Sequence, residues 1–261
     1  MEFVVLVKEV PDTEARIMLK DGRPDLSDTT MVINPYDEYA IEEALRQAEK
    51  RPGSTVTLVM VGGESSRKNI VNALALGVDK AVLISDPALA GSDALQTARV
   101  LKAAVEQLKP AVILAGKQGV DYDFGLTAIA VAEMLGMPHV GIITKLELSD
   151  GSFRAESDGD DGKLITEGKL PAVFTAEKAL NEPRYASLRG IMAAKKKPLT
   201  VKTLADLGLA VDEVGPAKAK VHMLGCEYPK HKPPGRIIEG ETVAEKVAGL
   251  VKALREEAKV I

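Results

Sequence analysis

Hydrophobic positions in the first half of the chain follow two alternating rhythms. Short apolar runs at residues 3–8, 55–61, 81–84 and 111–115 have the length and β-branched content of buried strands. Between them lie stretches with helical spacing. Residues 38–50 place Tyr39, Ala40, Ala44, Leu45 and Ala48 on one face, and residues 66–76 stop at Gly77. Residues 93–108 begin on an acidic residue and end shortly before a proline, and residues 127–135 stop at Gly136 and Pro138. Strands alternating with helices predict an α/β fold: a parallel, helix-flanked, Rossmann-like sheet. Ligands of such sheets sit beyond the carboxyl ends of the strands, so the loops after Lys8, Val61 and Ala115 are expected to line a pocket.

The rhythm changes after His139. Residues 141–148 and 152–156 read as antiparallel strands joined by the turn Ser149-Asp150-Gly151. The acidic stretch from Ser157 to Gly162 reads as a second turn, followed by strands at 163–167 and 172–175. Together these predict a β-meander finishing the sheet. The acidic turn lacks the spacing and terminal Glu of a calcium-binding EF-hand and reads as a solvated tip. Residues 228–234 carry Pro229, Pro233 and Pro234 and must be extended or turn-like. A helix over 242–256 follows, with Thr242 as N-cap and Glu245 completing a capping box. The expected division is a nucleotide-binding α/β domain over 1–225 and a C-terminal arm over 226–261. The helix of that arm either reaches beyond the main domain or packs on it.

Composition narrows the function. At 261 residues the chain can bury a substantial core, and its mild net charge of −4 gives no reason to expect nucleic acid as a partner. The single cysteine, Cys226, excludes an internal disulfide and a cysteine-based metal cage, and the three histidines lack metal-ligand spacing. No apolar run approaches the roughly 20 residues of a membrane helix, so direct membrane insertion is not expected. The first residues read as a strand rather than a signal peptide, and a cytoplasmic location fits best.

Three loops at the expected sheet edge hold candidate chemistry. Asn34-Pro35-Tyr36-Asp37 precedes a helix, where Pro35 stiffens the turn and Asp37 is placed to cap; an ordinary helix start reads the same way. Val61-Gly62-Gly63 permits close backbone approach. The richest loop is Gly116-Lys117-Gln118-Gly119-Val120-Asp121-Tyr122-Asp123-Phe124-Gly125-Leu126-Thr127, which leads from a buried strand into a helix. Backbone N–H groups and a helix N-terminus converge there, as an anion site requires. Lys117 offers charge and Thr127 a hydroxyl. Asp121 and Asp123 repel phosphate and instead cap, orient donors or accept from a ribose hydroxyl. A capped loop without a ligand is the alternative. The chain has neither G-x-x-x-x-G-K-[ST] nor G-x-G-x-x-G after its first strand, so P-loop hydrolysis and ordinary dinucleotide binding are not expected. No catalytic constellation stands out.

The most distinctive segment is Leu180-Asn181-Glu182-Pro183-Arg184-Tyr185-Ala186-Ser187-Leu188-Arg189-Gly190-Ile191-Met192-Ala193-Ala194-Lys195-Lys196-Lys197. It is proline-interrupted, apolar and basic at its end, the profile of a loop that touches another protein. The bland alternative is a short core helix over 188–194. This segment closely resembles the signature of the electron-transfer flavoprotein beta subunit. The resemblance extends to Lys8-Glu9-Val10-Pro11-Asp12, Asn34-Pro35-Tyr36-Asp37, Ala73-Leu74-Ala75-Leu76-Gly77, Gly116-Lys117-Gln118 and Gly235-Arg236-Ile237-Ile238-Glu239-Gly240.

The resemblance implies an adenine-nucleotide alpha-hydrolase-like fold and a non-enzymatic electron carrier. The partner alpha subunit would hold most of the redox FAD and receive the C-terminal arm. Electrons would pass from acyl-CoA-type or other flavin dehydrogenases to an electron-transfer flavoprotein-quinone oxidoreductase. Carried over by position, a structural AMP would contact Leu6, Asn34, Pro35, Tyr36, Asp37, Val61 and each residue from Gly116 to Thr127. A second FAD in the same place, as in the electron-bifurcating branch, is the alternative. The run Val10-Pro11-Asp12-Thr13 resembles that branch, and Leu126 stands where many relatives carry Gln. Leu188 matches the anchor for partner dehydrogenases, with Tyr185, Ile191 and Met192 beside it. A stand-alone adenine-nucleotide-binding module on the same architecture is the reading from a different class.

Overall fold

Every apolar run of the first half forms a strand, and the chain adds several short ones. In order, the elements begin β1 (Glu2–Val7), β2 (Glu9–Pro11), β3 (Met18–Lys20), β4 (Arg23–Asp25), β5 (Met31–Ile33), α1 (Pro35–Glu49), β6 (Thr55–Val61), α2 (Arg67–Leu76) and β7 (Lys80–Ile84). They continue with α3 (Ala94–Leu108), β8 (Val112–Gly116), α4 (Thr127–Leu135), β9 (His139–Ser149), β10 (Ser152–Gly159), β11 (Gly162–Lys169) and β12 (Ala172–Ala176), then α5 (Leu188–Ala194), β13 (Leu199–Lys202) and α6 (Val243–Lys252). This computed structural model describes residues 1–232 and 234–261, so Pro233 of the proline strap lies outside the described residues.

Nine strands form one sheet in the order β11-β10-β9-β12-β8-β1-β6-β7-β13, mostly parallel, with helices on both faces. Strand β1 exposes no face to water. Phe3, Val5 and Val7 pack with Ala40, Ile41 and Ala44 of α1 and Ile70 and Ala73 of α2. The alternate residues Val4 and Leu6 pack with Ala98, Leu101 and Val105 of α3 and Val131 of α4. Burial on both faces explains why these strands read as unbroken apolar runs rather than alternating ones. Burying a side chain such as Phe3 or Leu58 contributes about 1.5–3 kcal/mol.

Two expectations are corrected. The meander comprises β9, β10 and β11 only. Strand β12, expected at its end, instead lies between β9 and β8 and runs parallel to both. The acidic turn is also tighter than expected: β10 runs to Gly159 and β11 restarts at Gly162, leaving Asp160 and Asp161 to turn the chain.

The chain divides into two units, Met1–Gly225 and Cys226–Ile261. Within the second, Thr242 and Glu245 form the expected capping box on α6. Arg236 pairs with Glu257 at 2.9 Å. Val243, Val247, Leu250 and Val251 form an exposed apolar stripe at helical spacing. Among the described residues, no helix is long and apolar enough to cross a membrane.

Candidate functional site

The sheet order determines where a ligand crevice forms. From β1 the chain steps outward to β6 and β7, then returns through α3 to β8 on the other side of β1. The direction of strand addition reverses between β1 and β8. A crevice opens beyond their carboxyl ends at such a switch point.

Asn34, Asp37 and the loop after β8 meet there. The Asn34 Nδ2 donates to the Gln118 carbonyl at 2.9 Å, and its Oδ1 accepts from the Val120 N–H at 3.1 Å. One side chain thus ties the α1 start to the loop after β8. Asp37 accepts from the backbone N–H of Lys8 at 2.7 Å and of Gly116 at 2.8 Å. It therefore bridges the ends of β1 and β8 rather than capping α1. The N-cap position of α1 belongs to Asn34, whose side chain makes no cap bond. Burial pushes the Asp37 carboxyl up to about 7, against the opposing pull of the two backbone donors. Gly116 is required beside it, since an added Cβ would stand 2.5 Å from Asp37 Oδ1 and 2.7 Å from the Tyr36 backbone carbon.

The lysines are both committed. The Lys117 Nζ lies 2.7 Å from Glu177 and 4.8 Å from the Tyr36 ring centroid. The Glu177 hydrogen bond holds its pKa above the ordinary lysine value. Lys8 pairs with Asp121 at 2.5 Å and lies 5.2 Å from the Tyr122 ring centroid. Asp121 and Asp123 do not cap α4. Asp121 holds Lys8, and Asp123 accepts from Gln118 Nε2 at 2.7 Å. The α4 helix starts at Thr127 after Leu126 without a side-chain cap, and Gly125 just before it adopts a left-handed conformation. Its first N–H groups are therefore left without that partner, which suits an anion. The exposed rings of Tyr122 and Phe124 stack with centroids 5.9 Å apart. Leu6 is buried in the core beneath the loops, Pro35 opens α1, Val61 ends β6, and Gly119 packs against Lys8 and Asp121. Lys8 and Glu177 were not expected at this site. Their signal was positional: each lies just past the carboxyl end of a central strand.

The segment from Leu180 to Lys197 forms a separate site. Tyr185, Leu188, Met192 and Ile191 are 97%, 81%, 74% and 48% exposed. Of the short helix α5, only Ala194 is fully buried. The short helix foreseen as the bland alternative exists, but it is not a core helix. The backbone beneath the exposed side chains is well held. Ser187 caps α5 by accepting from the Gly190 N–H at 3.0 Å. Lys197 Nζ donates to the carbonyls of Leu74 and Val78 at 3.0 and 2.6 Å, closing the carboxyl end of α2. Arg184 pairs with Glu42 and Glu49 of α1.

Residues 26–207 match the family model of the electron transfer flavoprotein domain. The chain belongs to the electron transfer flavoprotein beta-subunit family. Curated relatives named electron transfer flavoprotein subunit beta include that of Bacillus subtilis, 42% identical over 264 residues and all of both chains. That of Syntrophomonas wolfei is 37% identical over 254 residues, 97% of this chain and 96% of its own. That of Mycobacterium tuberculosis is 36% identical over 246 residues, 92% of each. The family is of the carrier type.

Proposed function

We propose that this chain is the non-enzymatic beta subunit of a heterodimeric electron carrier. It docks flavin dehydrogenases of the acyl-CoA type at the Leu188 patch, and the complex passes their electrons to a quinone oxidoreductase. The observation that carries this reading is the patch itself: Tyr185, followed by Leu188, Ile191 and Met192 on a short helix, all exposed on a chain whose flanks are fastened to α1 and α2. A large exposed apolar group on an ordered backbone suits burial in a partner's pocket, because little conformational entropy remains to be lost.

The crevice between β1 and β8 would hold a structural AMP. Its phosphate would meet the uncapped start of α4, while the Asn34 and Asp37 links keep the surrounding loops in place. Because Lys8 and Lys117 are paired with carboxylates, the helix end rather than a lysine would supply most of the attraction. The relatives' designation as subunit beta supports an alpha-subunit partner, which would hold most of the FAD. The exposed apolar stripe of α6 suits a surface that such a partner covers.

Leu188→Ala should slow reduction of the purified heterodimer by an acyl-CoA dehydrogenase, with flavin content unchanged. Reduction kinetics equal to wild type would remove the docking claim.

A further inference from the structure

We propose that Arg184 is the positioning residue of the docking patch, fixing the chain that carries Tyr185 and Leu188 by clamping it to two carboxylates of α1. The proposal rests on the docking reading above and concerns what gives the patch its geometry.

Residues 181–187 lie outside any helix or strand, so the sheet's hydrogen-bond ladder does not fix them. Tyr185 and Leu188 are almost wholly exposed, and so draw little positional information from packing of their own. Their positions are inherited from the backbone on either side. After them, Gly190 lies so close to α2 that an added Cβ would stand 2.3 Å from the Ala75 carbonyl oxygen. Before them stands Arg184. Its Nε and Nη2 reach Glu42 at 2.7 and 3.0 Å, and its Nη1 and Nη2 reach Glu49 at 2.5 and 3.3 Å. Its backbone N–H also donates to Glu42 at 3.2 Å.

Glu42 and Glu49 are two helical turns apart and share one face of α1, so a planar fork can engage both. A lysine, with a single ammonium, cannot reproduce that geometry. Glu42 is buried while Glu49 is largely exposed, which makes the inner pair the stronger anchor and the outer pair the weaker one. Asn181 adds a neighbouring tie, donating to the Tyr39 carbonyl at 3.0 Å. The arrangement is pre-organisation: the loop is ordered before a partner arrives, so docking costs less.

The test uses the complete heterodimer with Arg184→Ala, Arg184→Lys, Glu49→Gln, Leu188→Ala and the Arg184→Ala/Leu188→Ala double variant. Reduction by an acyl-CoA dehydrogenase is followed as a function of carrier concentration, and amide hydrogen exchange is followed across 185–192. Arg184→Ala should raise KM about tenfold with kcat and flavin content retained, and should speed exchange across those amides. Arg184→Lys should fall between it and wild type. In the Leu188→Ala background the further rise should be under about twofold, because the clamp acts chiefly through the side chain already removed and only Tyr185 remains for it to position. Should Arg184→Ala fail to fold, Glu49→Gln alters only the exposed half of the clamp and should raise both KM and exchange by about twofold.

Unchanged exchange in either clamp variant, or fully multiplicative effects in the double variant, would overturn the proposal. A normal KM in Arg184→Ala with a raised KM in Leu188→Ala removes only the assignment of Arg184. A normal KM in Leu188→Ala removes the docking reading and, with it, the purpose of the clamp.

Discussion

At the scale of single residues, Asp37 and Gly190 carry the sharpest consequences. Asp37 is a buried carboxyl whose pKa is pushed up to about 7 by loss of hydration. Its unfolded value is near 4, so the folded state binds the proton more tightly between the two. Stability from this group is fully present below about pH 4 and is lost as pH rises towards about 7. Asp37→Asn should therefore flatten the stability profile between those values. It should also cost about 1–3 kcal/mol at pH 8, because one of the two backbone donors at Lys8 and Gly116 loses its acceptor. Denaturant titrations at several pH values test this, and an unaltered slope in the variant contradicts it. Gly190→Ala drives a Cβ to within 2.3 Å of a backbone oxygen, which cannot rotate away. A loss of about 1–3 kcal/mol in chemical unfolding is expected, together with displacement of α5. Wild-type stability would mean that α5 and α2 separate more easily than their packing implies.

At the scale of elements, α5 is seven residues long and far too short to persist alone in water. Its stability comes from the Ser187 cap, from contact with α2, and from Lys197 at the end of α2. Lys197→Met removes the ammonium from the carbonyls of Leu74 and Val78 and should cost about 1 kcal/mol, read as a shift in urea midpoint. The long strands and the helices of the first half were legible in the sequence because each pattern matched a burial pattern: two-faced strands as continuous apolar runs, helices as one apolar stripe; the three-residue strands β2 to β5 were too short to show one. The position of β12 was not legible. Pattern reports burial but not direction, and a short strand after a hairpin reads naturally as its continuation. Its run Ala172-Val173-Phe174, with no polar residue alternating, was the clue to a central parallel strand buried throughout, since β9 and β10 alternate as one-faced strands do. Strand β13 was missed because its four residues, Leu199 to Lys202, sit on the sheet edge and are only partly buried.

At the scale of the whole molecule, the site joins residues that are distant in sequence. Lys8 meets Asp121, Asn34 meets Gln118 and Val120, and Lys117 meets Glu177. The rule that loops gather at strand carboxyl ends indicated the region. It could not indicate that the two lysines would be held by carboxylates, because pairing across the crevice depends on sheet order. The segment around Leu188 was legible as an exposed apolar stretch, whereas the ion pairs of Arg184 were not, since its partners lie on a helix more than a hundred residues earlier in the chain. Helix α1 thus borders the candidate nucleotide crevice at its start and holds the loop proposed for docking along its length. The central claim is that these features serve one subunit of a two-chain flavin carrier. Native mass spectrometry of the complex as purified, with release and identification of its nucleotides, tests it most directly. The expected result is a one-to-one complex with a second polypeptide, containing one FAD and one AMP. Two FAD and no AMP would contradict the nucleotide assignment, and a colourless single chain that turns over ATP unaided would contradict the account as a whole.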